Sequence, residues 1–259
     1  MAKSAPALKG FELAAPVEAG VRCLILALWG HEKTGKSHFA MTAPSPIAYF
    51  HMDIGGRRVV NKFCKKKRIL VSDHRFLPPE QGVVVKAPYL AEWNRFVHQL
   101  GIARDDPKIR TVILDTHTAV YELCRLARFG KLTEVKPFHY GPVNAELTEL
   151  VNSFAGIGKN LILIGKSKKE YKDDVWTGNY EQSGIKDIGF LADVSMETGF
   201  NKEKGEDDNT FFVKVTRCGD NMALCGMEFR GADYCNFPCL ASNVFCDEDG
   251  DPVSEEEWL

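Results

Sequence analysis

The chain has 259 residues with a formal net charge of −2, and 44% of the residues are hydrophobic and 26% charged. Such a chain can bury a full core, most simply as one α/β domain, and its near-neutral charge excludes a protein that binds nucleic acid through its overall field. It has eight cysteines but no apolar leader and no run long enough to span a bilayer, which predicts a reducing, cytoplasmic protein without a membrane partner.

The first predicted elements flank a glycine-rich loop. Residues 1–20 are rich in Ala, Pro, Gly and Lys and predict an N-terminal extension. An apolar strand over Cys23 to Trp29 then stops in a loop, and a helix is expected from Ser37 to Met41. The loop has the phosphate-binding pattern, in which two glycines bracket four residues and are followed by lysine and serine. Its residues are Gly30, His31, Glu32, Lys33, Thr34, Gly35, Lys36 and Ser37.

Each fixed position of this loop has a chemical reason. Backbone N–H groups can surround phosphate oxygens only where side chains do not crowd the turn, so Gly30 and Gly35 are expected to be glycines. Lys36 is expected to place its charge on the β and γ phosphates, and Ser37 to give its hydroxyl to Mg²⁺. The loop therefore predicts a site for ATP and Mg²⁺.

Two later strands are predicted to end in a carboxylate. Ile47 to Met52 leads into Asp53, and Thr111 to Asp115 is an apolar run that ends in an acid. A carboxylate at the end of a buried strand beside a phosphate loop is the expected holder of Mg²⁺, which assigns Asp115 to the metal together with Ser37. The alternative for Asp115 is the N-cap of the helix that follows it, because Asp and Thr also cap helices.

Local basic charge occurs in two segments. The first, Lys62 to Arg68, is either a solvated helix end or a contact for nucleic acid or a partner. The second, Lys166 to Lys186, follows the predicted strand Leu161 to Ile164 and interleaves lysines with three aromatic residues, Tyr171, Trp176 and Tyr180. We interpret this second segment as a loop that either binds nucleic acid through cations and stacking, or lies on the surface with its aromatic rings packed into the core.

The last part of the chain predicts a strand pair and a tail. Leu191 to Glu197 and Phe211 to Thr216 are the two strands, joined by an exposed connection. Five cysteines between Cys218 and Cys246 have no CxxC spacing, which favours buried free thiols over a zinc site. Residues 247–257 are strongly acidic and predict a solvated tail.

The order of these motifs resembles the RecA-like ATPase core, and more closely the phage-encoded AAA-family or RecA-type proteins, some of which act in single-strand annealing and recombination. The phosphate loop and the run Val112-Ile113-Leu114-Asp115-Thr116 carry the resemblance. It implies a RecA-like P-loop fold over residues 21–230, with a mostly parallel central sheet flanked by helices and a late antiparallel strand pair. Residues 231–259 then form a C-terminal segment with the acidic tail.

The resemblance also implies three further catalytic residues besides Lys36 and Asp115. Asp53 stands where the family places an acid, usually glutamate, that positions the attacking water; its alternative is a turn before Gly55. Lys166 stands where the family has a polar residue that senses the γ-phosphate. Arg217 lies in a late strand from which such subunits send a cation into the neighbour's site; its alternative is a surface arginine.

The leading function is therefore a Mg²⁺-dependent ATPase that acts on single-stranded DNA in phage-type recombination or replication. The resemblance implies a homo-oligomer in a host-cell cytoplasm, and the acidic tail suggests docking of a replication or recombination protein. Two alternatives stay open: a nucleotide-binding loader or scaffold with little turnover, and a P-loop kinase for a small acceptor, which the missing arginine-rich lid disfavours.

Overall fold

The computed structural model describes residues 23–52, 56–74, 86–132, 134, 136–185, 187–201, 210–235, 237–238 and 241. Asp53, Lys186, the N-terminal extension and the acidic tail lie outside the described residues. The strands are β1 (Ile25–Gly30), β2 (Ile47–His51), β3 (Ile69–Val71), β4 (Thr111–Asp115), β5 (Asn160–Ile164), β6 (Ser167–Lys172), β7 (Val175–Gln182), β8 (Val194–Asn201), β9 (Thr210–Cys218) and β10 (Glu228–Arg230). The helices are α1 (Lys36–Ala40), α2 (Gly56–Phe63), α3 (Ala87–Asp105), α4 (His117–Phe129), α5 (Tyr140–Asn152) and α6 (Ile188–Leu191).

Within the described part of the chain, eight strands form one sheet in the order β10-β9-β8-β1-β5-β4-β2-β3. The strands from β8 to β3 in this order are parallel, and β9 and β10 are antiparallel additions at one edge. The predicted α/β fold class, a mostly parallel central sheet flanked by helices with a late antiparallel strand pair, is confirmed. Because parallel strands end at the same edge of a sheet, the carboxyl ends of β1, β4 and β5 meet there.

The central strands are apolar along their whole length because both faces of the sheet are covered. Every residue of β1, β2, β4 and β5 is buried, as is typical of a parallel sheet between helical layers. One core cluster joins this sheet to α3, α4 and α5 through residues such as Phe96, Leu123 and Leu147. The other packs Phe39 of α1 and Tyr234 against the opposite face. The phosphate loop is thereby anchored at both of its ends.

The predicted loop over Lys166 to Lys186 was wrong in its main part. Residues 167–182 form an antiparallel hairpin of β6 and β7 that makes a separate two-stranded sheet. The turn consists of Asp173 and Asp174, whose φ angles of 51° and 61° are the left-handed pair that suits the twist of a two-residue hairpin. Two aspartates are a weaker signal for this turn than Asn-Gly, and this explains why the polar composition indicated a loop.

Other differences from the sequence predictions are smaller. The late strand predicted from Leu191 begins instead at Val194, because residues 188–191 form the short helix α6. Among the late cysteines that the structure describes, Cys218 is buried as predicted, whereas Cys225 is exposed. The basic run is solvated at the end of α2, where Lys62, Lys65 and Lys66 are exposed. None of the described helices has the length and apolar character needed to cross a membrane.

Candidate nucleotide-binding site

The phosphate loop runs from the end of β1 to the start of α1, and its glycines are fixed by packing as well as by function. Gly35 has a φ of 79°, and a Cβ built there would lie 2.8 Å from the ring of Phe211. A Cβ on Gly30 would lie 2.5 Å from the carbonyl oxygen of Thr198. The hydroxyls of Thr34 and Thr198 share a hydrogen bond of 2.7 Å. Strands β8 and β9 therefore support the loop from one side and leave no room for side chains at its two glycines.

Lys36 folds back over the loop that precedes it. Its Nζ donates to the carbonyl oxygen of Gly30 at 2.9 Å and to that of His31, and lies 3.4 Å from the hydroxyl of Thr34. An ammonium group has three protons, so these contacts occupy all of its donors. The lysine is thus held at the mouth of the loop, where phosphate oxygens are expected.

The pKa of Lys36 reports which charged groups surround it. Burial is the largest influence and lowers this pKa, because desolvation disfavours the ammonium. The carboxylates of Asp115 and Glu32 raise the pKa, and the positive charge of Lys166 lowers it. Lys166 is therefore close enough to Lys36 for their charges to interact, although it follows the end of a different strand. Glu32 and Lys33 themselves are exposed on the loop.

Ser37 and Asp115 meet directly, as the sequence predicted for a metal pair. The Ser37 hydroxyl donates to Oδ2 of Asp115 at 2.6 Å, and the Tyr49 hydroxyl donates to the same oxygen at 2.7 Å. Asp115 is only 6% exposed. The capping alternative for Asp115 is wrong, because the N-cap of α4 is Thr116, whose side chain accepts from the N–H of Ala119.

A hydroxyl and a carboxylate are the hard oxygen donors that Mg²⁺ takes alongside phosphate oxygens and water. The described residues contain no cluster of three or more His, Cys, Asp and Glu side chains that could hold a metal by themselves. Tyr49 was missed by the sequence reasoning, because a tyrosine within an apolar strand has the pattern of a core residue.

Arg217 is not brought to the phosphate loop of its own chain. It lies on β9 opposite Ser195, which in turn pairs with Ala27 of β1. Ala27 is three residues before Gly30 on β1. At about 3.3 Å per residue, the backbone of Arg217 therefore lies roughly 10 Å from the level of Gly30, measured along the strands. The guanidinium of Arg217 lies 5.3 Å from the ring centre of Phe190, which is 82% exposed. Both residues line a wide cavity of about 1470 Å³, whose lining also includes Trp29 of β1 and Lys166 but none of residues 30–37.

The β6–β7 hairpin is held at its base by the residues that follow Asp115. The Thr118 hydroxyl accepts from the N–H of Lys166 at 3.2 Å and donates to the carbonyl of Ser183 at 3.1 Å. His117 is fully buried between Gly165 and Gly184, where added Cβ atoms would each lie 2.6 Å from its ring. Both strands of the hairpin are thus fixed to the start of α4, directly after the predicted metal ligand.

Burial lowers the pKa of His117 to about 3, so the imidazole is neutral near pH 7. The side-chain amide of Gln182 lies 3.1 Å from Nε2 of this ring, and we assign Nε2 as the acceptor because the amide nitrogen can only donate. The proton then sits on Nδ1, which has no hydrogen-bond partner among the described residues. No role for His117 was predicted from the sequence.

The hairpin also contacts the phosphate loop. The rings of His31 and Tyr180 meet edge to face with centres 4.3 Å apart. The Ser167 hydroxyl lies 3.3 Å from Nδ1 of His31. Residues from the first and the last strand of the hairpin therefore contact one loop residue, an arrangement that sequence spacing does not reveal.

The sheet order, the glycine loop and the Ser37–Asp115 contact define a nucleotide-binding P-loop NTPase of α/β fold. Residues 22–189 match the family model described as an AAA domain (AAA_24), and the chain belongs to this family. No curated protein is significantly similar to the chain. Among solved structures, it is similar to a KaiC-like protein from the hyperthermophilic archaeon Pyrococcus horikoshii OT3, with 13% identity, a TM-score of 0.47, and coverage of 81% of this chain and 85% of that one.

Proposed function

We propose that the protein is a Mg²⁺-dependent ATPase that acts on single-stranded DNA, as a homo-oligomer, in recombination or replication of the phage type. The observation that carries the enzymatic part is the contact between Ser37 and Asp115 at the carboxyl edge of the sheet, 2.6 Å long and beside the phosphate loop. Membership of the AAA domain family supports the same activity. The proposed DNA binding rests on the β6–β7 hairpin, which follows β5 at this edge of the sheet.

In this proposal Ser37 and Asp115 hold Mg²⁺, which neutralises charge on the phosphates when it is bound. Lys36 contributes a further positive charge, and Lys166 adds a second cation that takes the sensing role at the γ-phosphate. Asp53 positions the attacking water. These assignments need only residues at or just beyond the ends of β1, β2, β4 and β5.

Arg217 acts in this proposal on the nucleotide of a neighbouring subunit. Its location, roughly three residues before the phosphate loop in strand register, supports a role between subunits over one within the chain. A planar guanidinium can neutralise charge on the transferring phosphoryl group and raise turnover by about 10³ to 10⁵. Hydrolysis then depends on assembly.

The β6–β7 hairpin supplies the proposed DNA contact, because one of its faces is aromatic and cationic. Tyr171, Trp176 and Tyr180 are 58%, 47% and 38% exposed, so the alternative that they pack into the core is wrong. Lys169 lies 4.9 Å from the Trp176 ring centre, and the Trp176 and Tyr180 rings are in contact. Exposed aromatic rings with a cation are a platform on which nucleobases stack at about 1–3 kcal/mol each.

The carboxylates of the two hairpin strands are engaged away from this platform. Glu181 pairs with Lys168 at 3.1 Å. The pKa of Glu170 is lowered chiefly by hydrogen bonds from Thr177 and Asn179. Strand alternation places residues 177, 179 and 181 on the face opposite Trp176 and Tyr180. Lys169 thus remains the platform's cation, although the hairpin carries several acids.

The function is tested by steady-state ATP hydrolysis with and without an oligothymidylate, and with small phosphate acceptors. DNA-stimulated hydrolysis supports the proposal. Phosphorylation of a small acceptor would instead identify a kinase, and tight binding without turnover would identify a loader or scaffold.

The metal assignment is tested with two variants. Asp115→Asn should lower turnover roughly 10-fold or more at limiting Mg²⁺. Asp105 is an exposed carboxylate at the end of α3, so Asp105→Asn should leave turnover unchanged. Equal turnover in both variants contradicts the metal assignment.

A further inference from the structure

We propose that His31 couples the phosphate loop to the hairpin, so that ATP binding frees Tyr180 and raises the affinity of the hairpin for single-stranded DNA. The DNA half of this inference rests on the proposed function. The observation behind it is that one residue of the phosphate loop contacts both strands of the hairpin while its carbonyl holds Lys36. The coupling depends on which hydrogen bond Lys36 loses when it binds a phosphate.

Lys36 cannot keep its present contacts and also bind a phosphate. Its three protons face Gly30, His31 and Thr34, and an ammonium has no fourth donor. A phosphate contact therefore requires that at least one of these be released. The carbonyl of His31 is exposed to the loop mouth and loses a charge-assisted hydrogen bond when it is the one released. The carbonyl still accepts a hydrogen bond from the Thr34 hydroxyl at 2.8 Å, so the peptide that orients the His31 ring loses one of the hydrogen bonds that hold it and pivots about the other.

The His31 ring covers part of the aromatic platform. Its edge-to-face contact with Tyr180, at 4.3 Å between centres, occupies a ring that is only 38% exposed. A nucleobase can stack on Tyr180 only where that ring is open. Movement of His31 away from the hairpin therefore enlarges the platform, and a base stacked on Tyr180 in turn displaces His31 from its present position.

The base of the hairpin supplies a fixed pivot for this motion. Thr118 holds both strands through hydrogen bonds to residues 166 and 183, and His117 is wedged between Gly165 and Gly184. Gly184 has a φ of 117° and no space for a Cβ, so only glycine allows this close contact with His117. Change at His31 is thus transmitted to the exposed part of the hairpin, whose base stays in place.

The experiment measures the affinity of a fluorescent oligothymidylate with and without saturating Mg²⁺ and a non-hydrolysable ATP analogue. In the wild type the analogue should tighten DNA binding about 5-fold or more, the lower range of measured couplings. His31→Ala should bind DNA without nucleotide as tightly as the wild type does with it. The coupling ratio, which is the Kd for DNA without the analogue divided by the Kd with it, should therefore be near 1 in His31→Ala. Each ratio compares a variant with itself, so a change in nucleotide affinity at saturation does not alter it.

Tyr171→Ala is the matched control. Tyr171 belongs to the same aromatic platform but pairs with Trp176 and not with His31. Its loss should weaken DNA binding while the wild-type ratio is retained, whereas Tyr180→Ala should weaken binding and lose the ratio. A wild-type ratio in His31→Ala, or loss of the ratio in Tyr171→Ala, overturns the coupling.

A second measurement separates failure of the coupling from failure of the proposed function. Amide hydrogen exchange over residues 167–182 is followed with and without the ATP analogue, in the absence of DNA. The wild type should exchange faster there when the analogue is bound, and His31→Ala should show the faster exchange in both states. If no DNA binds but this pattern is seen, the DNA proposal fails and the coupling stands. If exchange in the wild type is unchanged by the analogue, the coupling is wrong whatever binds DNA.

Discussion

Removing the hydroxyl of Tyr49 tests how the predicted metal carboxylate is held. Tyr49 is fully buried and donates to Oδ2 of Asp115 at 2.7 Å, beside the donor from Ser37. Tyr49→Phe keeps the ring and removes one of these two donors. A hydrogen bond to a charged group contributes about 1.5–3 kcal/mol to stability. For a domain of this size, roughly 2–4 °C per kcal/mol converts that loss into a fall in Tm of about 3–12 °C.

A second buried tyrosine provides the control. Tyr234 is also fully buried and donates to Oδ1 of Asn160 at 2.8 Å, an uncharged acceptor. Tyr234→Phe removes the same atom from a neutral hydrogen bond, which is expected to cost about 0.5–1.5 kcal/mol. Urea unfolding of both variants gives the two losses directly. The reasoning predicts a larger loss for Tyr49→Phe, and an equal or smaller one would refute it.

The Tyr49 variant also has a functional consequence. With one donor gone, the Asp115 carboxylate is less firmly oriented toward Ser37, so more Mg²⁺ should be needed for half-maximal ATP hydrolysis. Changes in residues behind a metal ligand typically cost about 10-fold to 100-fold in metal affinity or activity. Tyr234→Phe should leave the Mg²⁺ requirement unchanged. An identical requirement in the two variants would make Tyr49 a purely structural residue.

Three further predictions follow from the site. Lys169→Ala should weaken oligothymidylate binding and flatten its salt dependence, because one fewer counterion is released. Lys168→Ala should change the salt slope less, since Lys168 pairs with Glu181. Equal salt slopes in the two variants would show that the DNA contact lies elsewhere. Arg217→Ala should bind ATP but hydrolyse it slowly, and mixing it with Lys36→Ala should restore part of the activity; no recovery despite shown co-assembly contradicts a role between subunits. The pKa of His117 is lowered to about 3. Below about pH 6.5 the unfolded chain therefore binds a proton at this residue, whereas the folded chain does not. The contribution of His117 to stability is thus fully present above that pH and is lost as the pH falls. Between pH 7 and 5 the wild type should lose about 2 kcal/mol more than His117→Asn in urea unfolding, and equal losses would show that His117 is protonated in the folded protein.

Much of the fold could be read from local pattern. The strands β1, β2, β4 and β5 are short apolar runs because both faces of a parallel sheet are buried, and the sequence alone shows such runs. The phosphate loop was recognised because its residues are adjacent in the chain. Asp115 was placed correctly beside Ser37 because parallel strands end at one edge of the sheet.

Contacts between distant segments were decided only by the tertiary structure. Tyr49 and Asp115 are 66 residues apart, and no local pattern indicates that a tyrosine in an apolar strand will donate to that carboxylate. The hairpin was read as a loop because its Asp-Asp turn and mixed charges lack a strong hairpin signal. The hairpin contacts His31 because β5, which precedes the hairpin, pairs in parallel with β1, which precedes the phosphate loop. Sequence thus determined the elements whose cause is local periodicity and spacing, whereas the partners of Asp115 and His31 were set by sheet order and packing, which bring together residues that share no sequence neighbourhood.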